Sequence, residues 1–300
     1  MPPLLPRLLP VLALCATVGP LLGQRNDAAN APFRPPVRTG TLPLQAVPEA
    51  SGLVRSRRHA DVFWTHNDSE GTAEVFAVRG NGTLLRRIVV PGANQVDWED
   101  LALDEQDRLV VGDLGDNFAA HREHVLYRFA EPDPHGTGGI DRVETFRWRY
   151  PADCGALDAE ALWVAGDSAF VLTKEPRAAR LFRIELSAKA VAAGELIQAE
   201  LLGTLDGLQV VTGASLSADR CALAMLSYFE VVVFDLAEPL QADLPAANLL
   251  SVLHVAKRRT QAVMLGQCEG ITWDGRDLVV ATERGPVSWG RPLLWRFVPK

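Results

Sequence analysis

One short pattern recurs five times along the chain and constrains what it can fold into more than any other feature. A polar or acidic residue runs straight into an apolar strand at Glu49-Ala50-Ser51-Gly52-Leu53, Asp97-Trp98-Glu99-Asp100-Leu101 and Ala159-Glu160-Ala161-Leu162. It does so again at Gly213-Ala214-Ser215-Leu216 and Cys268-Glu269-Gly270-Ile271. Aligned on the polar residue, the series reads Ser51, Glu99, Glu160, Ser215, Glu269, with steps of 48, 61, 55 and 54 residues. A repeat of roughly 50 residues is the scale of a propeller blade.

Each repeat carries strand-like segments separated by turn residues. In the first, Ala50–Arg55, Val62–Thr65, Glu74–Val78 and Thr83–Val90 are the expected strands, with Asn81-Gly82 as a hairpin turn. The second and third repeats read the same way through Tyr150 and Leu205, with Ser187–Ile197 as a helix or a long outer loop. In the fourth, Leu249–Val255 is the expected last strand. The fifth ends one strand short, and the unassigned Val37–Leu44 supplies it. The expectation is an all-β chain: a five-bladed β-propeller of four-stranded blades, closed by an N-terminal strand, spanning residues 37–300 with blades starting near 49, 97, 158, 213 and 267. Ring closure leaves only short edges open to unwanted pairing.

Composition agrees with a packed domain, at 48% hydrophobic and 22% charged residues. A net charge of −7 argues against nucleic acid as a partner, since phosphate backbones select basic surfaces. Past the N-terminus no apolar run approaches the ~20 residues needed to span a membrane. Residues 1–23 hold Arg7 and an apolar run from Leu8 to Leu22, broken by Pro10, Gly19 and Pro20, which reads as a signal peptide for a secreted or periplasmic protein. Leu14 before Cys15 is too large for lipid attachment there. Residues 24–36 read as a flexible leader, and Cys154, Cys221 and Cys268 as small buried hydrophobes with no assignable pairing.

In a propeller the first strand of each blade lines the central channel, so Ser51, Glu99, Glu160, Ser215 and Glu269 converge on one axis. Three glutamates facing each other cannot all stay ionised without a cation. An all-oxygen ring of carboxylates and hydroxyls suits Ca²⁺, and the absence of His or Cys in the register disfavours zinc. Two other readings remain open: polar residues that hydrogen-bond the neighbouring blade with no ion, and carboxylates that cleave sugars by acid–base chemistry.

The order of these residues, with Val111-Gly112-Asp113-Leu114-Gly115 after the second copy, resembles the calcium-activated nucleotidase (soluble apyrase) family. The resemblance implies a five-bladed propeller with a calcium ion in its central tunnel, held by blade-start serines and glutamates. The chain is also similar in flavour to secreted phytase-like and esterase-like bacterial propellers.

Loops entering the inner strands and those joining second to third strands share one face. Asn67, Asp68, Ser69 and Glu70, then Asp113, Asp116, Asn117, His121, Arg122 and His124, gather there with Lys174, Glu175, Arg177, Tyr228, Glu283, Arg284, Trp289 and Arg291. Asn67, Asp68, Arg122, Lys174 and Arg284 are assigned to a small phosphorylated or carboxylated ligand. Asp113 or Asp116 is assigned as base for a metal-activated water in phosphate ester or anhydride hydrolysis. The same Gly-Asp-Leu-Gly-Asp-Asn run also suits a plain structured turn. Against the hydrolase stands a non-catalytic ligand- or protein-binding propeller with a structural calcium ion.

Overall fold

The computed structural model describes residues 31–69, 71–241, 246–285 and 290–300. The expected signal peptide lies outside the described residues, as do Glu70 and Trp289. The domain runs from Pro32 to Lys300.

Its first strand, β1 (Val37–Thr41), belongs to the last blade. Blade 1 is β2 (Ala50–Arg55), β3 (Phe63–Asn67), β4 (Glu74–Val78) and β5 (Leu84–Val89). Blade 2 is β6 (Trp98–Leu103), β7 (Arg108–Asp113), β8 (His124–Ala130) and β9 (Glu144–Arg149). Blade 3 is β10 (Ala159–Ala165), β11 (Ser168–Thr173), β12 (Ala178–Glu185) and β14 (Glu200–Asp206). Between its last two strands run a short helix, α1 (Ala188–Ala193), and β13 (Ile197–Gln198), which adds a parallel fifth strand to blade 2. Blade 4 is β15 (Val211–Leu216), β16 (Ala222–Ser227), β17 (Glu230–Asp235) and β18 (Lys257–Ala262), with the helix α2 (Ala246–Val255) before β18. Blade 5 is β19 (Cys268–Asp274), β20 (Asp277–Thr282) and β21 (Leu293–Phe297), completed by β1, which pairs antiparallel with β21. The inner strands touch in the order β2, β6, β10, β15, β19 and back to β2, so the ring is closed: the protein is a five-bladed β-propeller.

Inner strands are buried along nearly their whole length because neighbouring blades cover both faces. Outer strands such as β5, β9 and β18 alternate or lie open to solvent. The core is accordingly five wedges, one between each pair of adjacent blades. Trp98 fills the wedge between blades 1 and 2, Trp148 the next, and Trp163 that between blades 3 and 4.

Two expectations change. Leu249–Val255 is not a strand but the end of α2, because Leu249 and Leu253 fall four residues apart on one buried helical face. The fourth strand of that blade is instead the polar Lys257–Ala262, whose Arg259 pairs with Asp235 of β17 at 2.6 Å. The expected leader also ends earlier, because Phe33 is buried edge-on to Phe297 and its N–H donates to Gln261 Oε1. Cys268 is buried, whereas Cys154 and Cys221 are only partly so, and all three thiols are free.

Candidate metal centre at the tunnel mouth

Four inner strands break their ladder at the same place. Register shifts between Trp98 and Asp100, Ala159 and Ala161, Val211 and Gly213, and Cys268 and Gly270 leave Glu99, Glu160, Thr212 and Glu269 as the extra residues of β-bulges. Ser51, next after Ala50 opposite Asn67, holds the same position in blade 1. A bulge re-aims the side chain it carries. The ring in register is therefore Ser51, Glu99, Glu160, Thr212, Glu269.

Ser215 is not part of it. It lies three residues further along β15, roughly 10 Å at the rise of a strand, paired with Ala224. Its hydroxyl faces the Trp273 N–H at 3.4 Å, and it lines a cavity of 420 Å³ formed with the far ends of the inner strands. The Gly213 bulge sets the blade's register, and Ala214-Ser215 only imitates the motif. Ser51 and Thr212 turn their hydroxyls to the next blade, donating to the carbonyls of Glu99 and Cys268 at 2.6 Å each.

Around the three buried glutamates stand Asp68, Asp97, Asp158 and Glu283. The oxygens of Asp68, Asp97 and Glu99 lie within 4.8 Å of one another, and so do those of Glu99, Asp158 and Glu160. Glu99 is common to both groups. Burial first, then neighbouring carboxylates, pushes Asp68 up to about 9 and Glu269 and Glu283 up to about 8. Glu99 and Glu160 are pushed well above the usual carboxylate range by the same causes. Asp68 Oδ1 and Glu160 Oε2 are buried with no hydrogen-bond partner in the protein. A set of hard oxygen donors with unused lone pairs fits a divalent, oxygen-seeking cation.

Lys174 enters from the end of β11. Its ammonium is bonded to Glu160 Oε1 and sits 5.1 Å from the centre of the Tyr228 ring. It also donates to the Tyr228 hydroxyl, which in turn hydrogen-bonds Glu269. Carboxylate neighbours hold Lys174 well above the usual ammonium range against the opposing, and individually larger, effect of burial.

The turn that reads Gly112-Asp113-Leu114-Gly115-Asp116 forms the wall beside Glu99. Leu114 and Gly115 donate their N–H groups to the Asp97 carbonyl at 3.1 Å. Asp113 accepts the Asp97 N–H at 2.9 Å, and burial pushes it up to about 6. Asp116 accepts from Ala120 and His121 at 2.7 and 3.0 Å, while its own N–H reaches Asp158 Oδ1 at 2.9 Å. Both therefore hold the loops that carry Asp97 and Asp158.

Asn67 spends its amide on Ala46 and Glu49. Arg122 is exposed, and Arg284, 55% exposed, reaches Glu49 at 3.4 Å. Deeper in the tunnel Asp100 is fully buried and accepts the N–H groups of Leu101, Leu162 and Ala214, tying blades 2, 3 and 4 together. Sequence reasoning missed Asp158 and the part played by Tyr228. The Asp-X-Glu spacing shared by Asp97–Glu99 and Asp158–Glu160 is the signal that would have found the former.

Fold and site thus define a five-bladed propeller with an acidic, cation-seeking tunnel mouth. No family model matches the chain, and no curated protein matches it. Solved propellers are similar in outline. The PQQ-bound aldose sugar dehydrogenase of Streptomyces coelicolor has a TM-score of 0.47 at 11% identity, over 90% of this chain and 100% of that one. A gluconolactonase of Xanthomonas campestris has 0.42 at 14%, over 90% and 99%. A chain of a nidogen/laminin complex has 0.45 at 12%, over 82% and 84%. Likeness at this level carries no argument about this chain, whose fold rests on its own strand pairing.

Proposed function

We propose that the protein is an exported calcium-binding propeller, and that the tunnel mouth is a hydrolytic site for small phosphate esters or anhydrides. One observation carries the reading: Asp68, Asp97, Glu99, Asp158, Glu160, Glu269 and Glu283 converge on one mouth, where the buried Glu160 Oε2 has no hydrogen-bond partner in the protein. Asp68, Asp97 and Glu99 would hold the ion. Bound calcium would polarise a phosphoryl oxygen and lower the pKa of a coordinated water. Arg284 and Arg122 at the rim attract the anionic substrate. Asp113 and Asp116 keep the roles of fixing Asp97 and Asp158, because their oxygens are taken by backbone N–H groups. The resemblance to soluble apyrases, and the signal-like residues 1–23, support the same reading.

Elemental analysis of the purified protein, followed by a phosphate-release screen over nucleotides, phytate and simple phosphoesters, tests it. One calcium per chain and turnover abolished by chelation are the expected results. A calcium-loaded protein inert on all of these would sink the hydrolase.

A second reading is a binding propeller whose ion only ties blades together. It is favoured by the hydroxyls of Ser51 and Thr212, which already bridge neighbouring blades. Chelation would then lower thermal stability without touching any turnover. The glycosidase reading fits less well, since aromatic residues are only 7% of the chain, few for stacking sugars.

A further inference from the structure

Ser215 carries the recurring motif of the inner strands yet stands outside the ring at the mouth. It lines instead the cavity of 420 Å³ at the other end of the tunnel, to which every blade contributes. Val54, Leu101, Leu162, Ser215 and Thr272 reach it from the five inner strands in turn. Asp100, next to Glu99 in the chain, accepts the N–H groups of Leu101, Leu162 and Ala214 and so ties three of its walls together.

A volume of this size with mostly apolar walls and a few convergent polar groups is what a small-molecule site requires. Leu101, Leu103, Leu162, Val164 and Leu216 supply apolar surface, joined by the indoles of Trp163 and Trp273. The charged side chains in the lining are already spent. Arg55 pairs with Asp274 at 3.1 Å and donates to the His59 carbonyl at 2.7 Å. Asp274 also takes Arg296 at 2.7 Å, and Arg57 pairs with Asp107 at 2.6 Å. A charged ligand would lose its hydration here without gaining an uncommitted partner, which selects an uncharged one.

The polar groups left over are donors. Ser215 and Thr272 are both buried, and each hydroxyl accepts one backbone N–H, from Trp273 at 3.4 Å and from Arg55 at 3.0 Å. Among the described residues neither finds an acceptor for its own proton, although a hydroxyl can both accept and donate. The two lie close together, because Ser215 touches the N–H of the residue that follows Thr272. The Trp163 indole N–H is likewise buried with no partner.

We propose that this cavity is a second ligand site, taking a small uncharged molecule with an apolar body and a carbonyl oxygen, such as a ketone or ester. The carbonyl accepts from Ser215 and Thr272, and the body lies against the leucines of blades 2, 3 and 4. None of the mouth carboxylates lines the cavity, so the site is independent of the calcium reading.

Acetophenone, an aromatic ring with one carbonyl, is the probe. Ethylbenzene has the same outline without the oxygen, and benzoate adds a charge. Each is titrated by NMR into the full-length protein, with and without chelator. The variants are Ser215→Ala/Thr272→Val and Ala102→Leu, which enlarges a buried lining residue to fill the space. Wild type should bind one acetophenone per chain, about fivefold or more tightly than ethylbenzene, as expected of one or two net hydrogen bonds. Benzoate should not saturate, and chelation should change nothing. The double variant should bind ketone and hydrocarbon equally, and Ala102→Leu neither.

No saturable binding of acetophenone to wild type overturns the inference, as does ethylbenzene binding equally well or benzoate binding better. These comparisons need no variant to fold. A double variant that keeps the preference for the ketone, or an Ala102→Leu protein that binds as wild type does, overturns it as well. Each of these failures leaves the calcium reading standing.

Discussion

A Cβ on Gly115 would fall inside the van der Waals shell of Glu99 Oε1, and would stand 2.5 Å from Asp97 Oδ2. The loop after β7 thus presses bare backbone against the carboxylates that define the site. Gly115→Ala should displace both carboxylates and weaken calcium binding at least about tenfold, or about 1.4 kcal/mol. Gly139→Ala, where nothing lies within 4 Å, is the matched control. Calorimetric titration of the two variants decides it, and equal affinities would refute the contact's importance.

Asp100 is expected to matter for stability rather than for the ion. Its two oxygens accept three backbone N–H groups from three blades. Asp100→Asn turns an N–H₂ toward donors and should cost about 2–4 kcal/mol in denaturant unfolding, with the one-ion stoichiometry intact. A variant of wild-type stability would mean that the bonds across the tunnel are not maintained in solution.

Titration of the mouth sets a slope in pH. Folded Asp68 is raised from 3.8 to about 9, and Glu269 and Glu283 from 4.5 to about 8. Groups raised on folding bind more protons in the native state, so their contribution is fully present below their unfolded values. It is lost as pH climbs through the folded ones. The thermal midpoint of calcium-free protein should therefore fall from about pH 4 to about pH 9. Calcium, which needs the ionised carboxylates, should raise the midpoint more at the alkaline end. A calcium effect independent of pH would contradict this.

The register of blade 4 gives a paired test. Thr212→Val removes the 2.6 Å bond to the Cys268 carbonyl and should cost about 1 kcal/mol. Ser215→Ala loses only a 3.4 Å contact, and should leave calcium affinity unchanged because Ser215 stands outside the ring. If Ser215→Ala weakened calcium binding and Thr212→Val did not, the ring would have been drawn wrongly.

Much of the architecture could be read from the sequence because the tunnel makes the same demand on every blade. The start of each inner strand must face an axis where apolar bulk will not fit, and so Ser51, Glu99, Glu160 and Glu269 announce themselves. Blade 4 hid its register because a β-bulge has no hydrophobic signature, and Ser215 offered a better-looking match than Thr212. The strand Lys257–Ala262 went unseen because an outer strand with one wet face can be all polar, while the leucines of α2 mimic a strand. Asp113 and Asp116 were legible as conspicuous acids, but only the folded loops reveal that backbone N–H groups occupy them. Lys174 read as a ligand contact because sequence places it on the right face without showing that it turns inward to Glu160.

The pairing of β1 with β21 makes the earliest-synthesised strand of the ring wait for the latest. Val37 has its partner only once Arg296 has been made. Four blades can form as the chain emerges, but the fifth keeps an open edge until residue 297 has left the ribosome or, for an exported chain, the translocation pore. The last closure spans almost the entire polypeptide, which is the slowest kind of contact to find. A chain halted short of β21 would expose the edges of β20 and β1, which β21 joins, as a sticky rim. Truncation near the C-terminus should therefore yield aggregates instead of a smaller propeller.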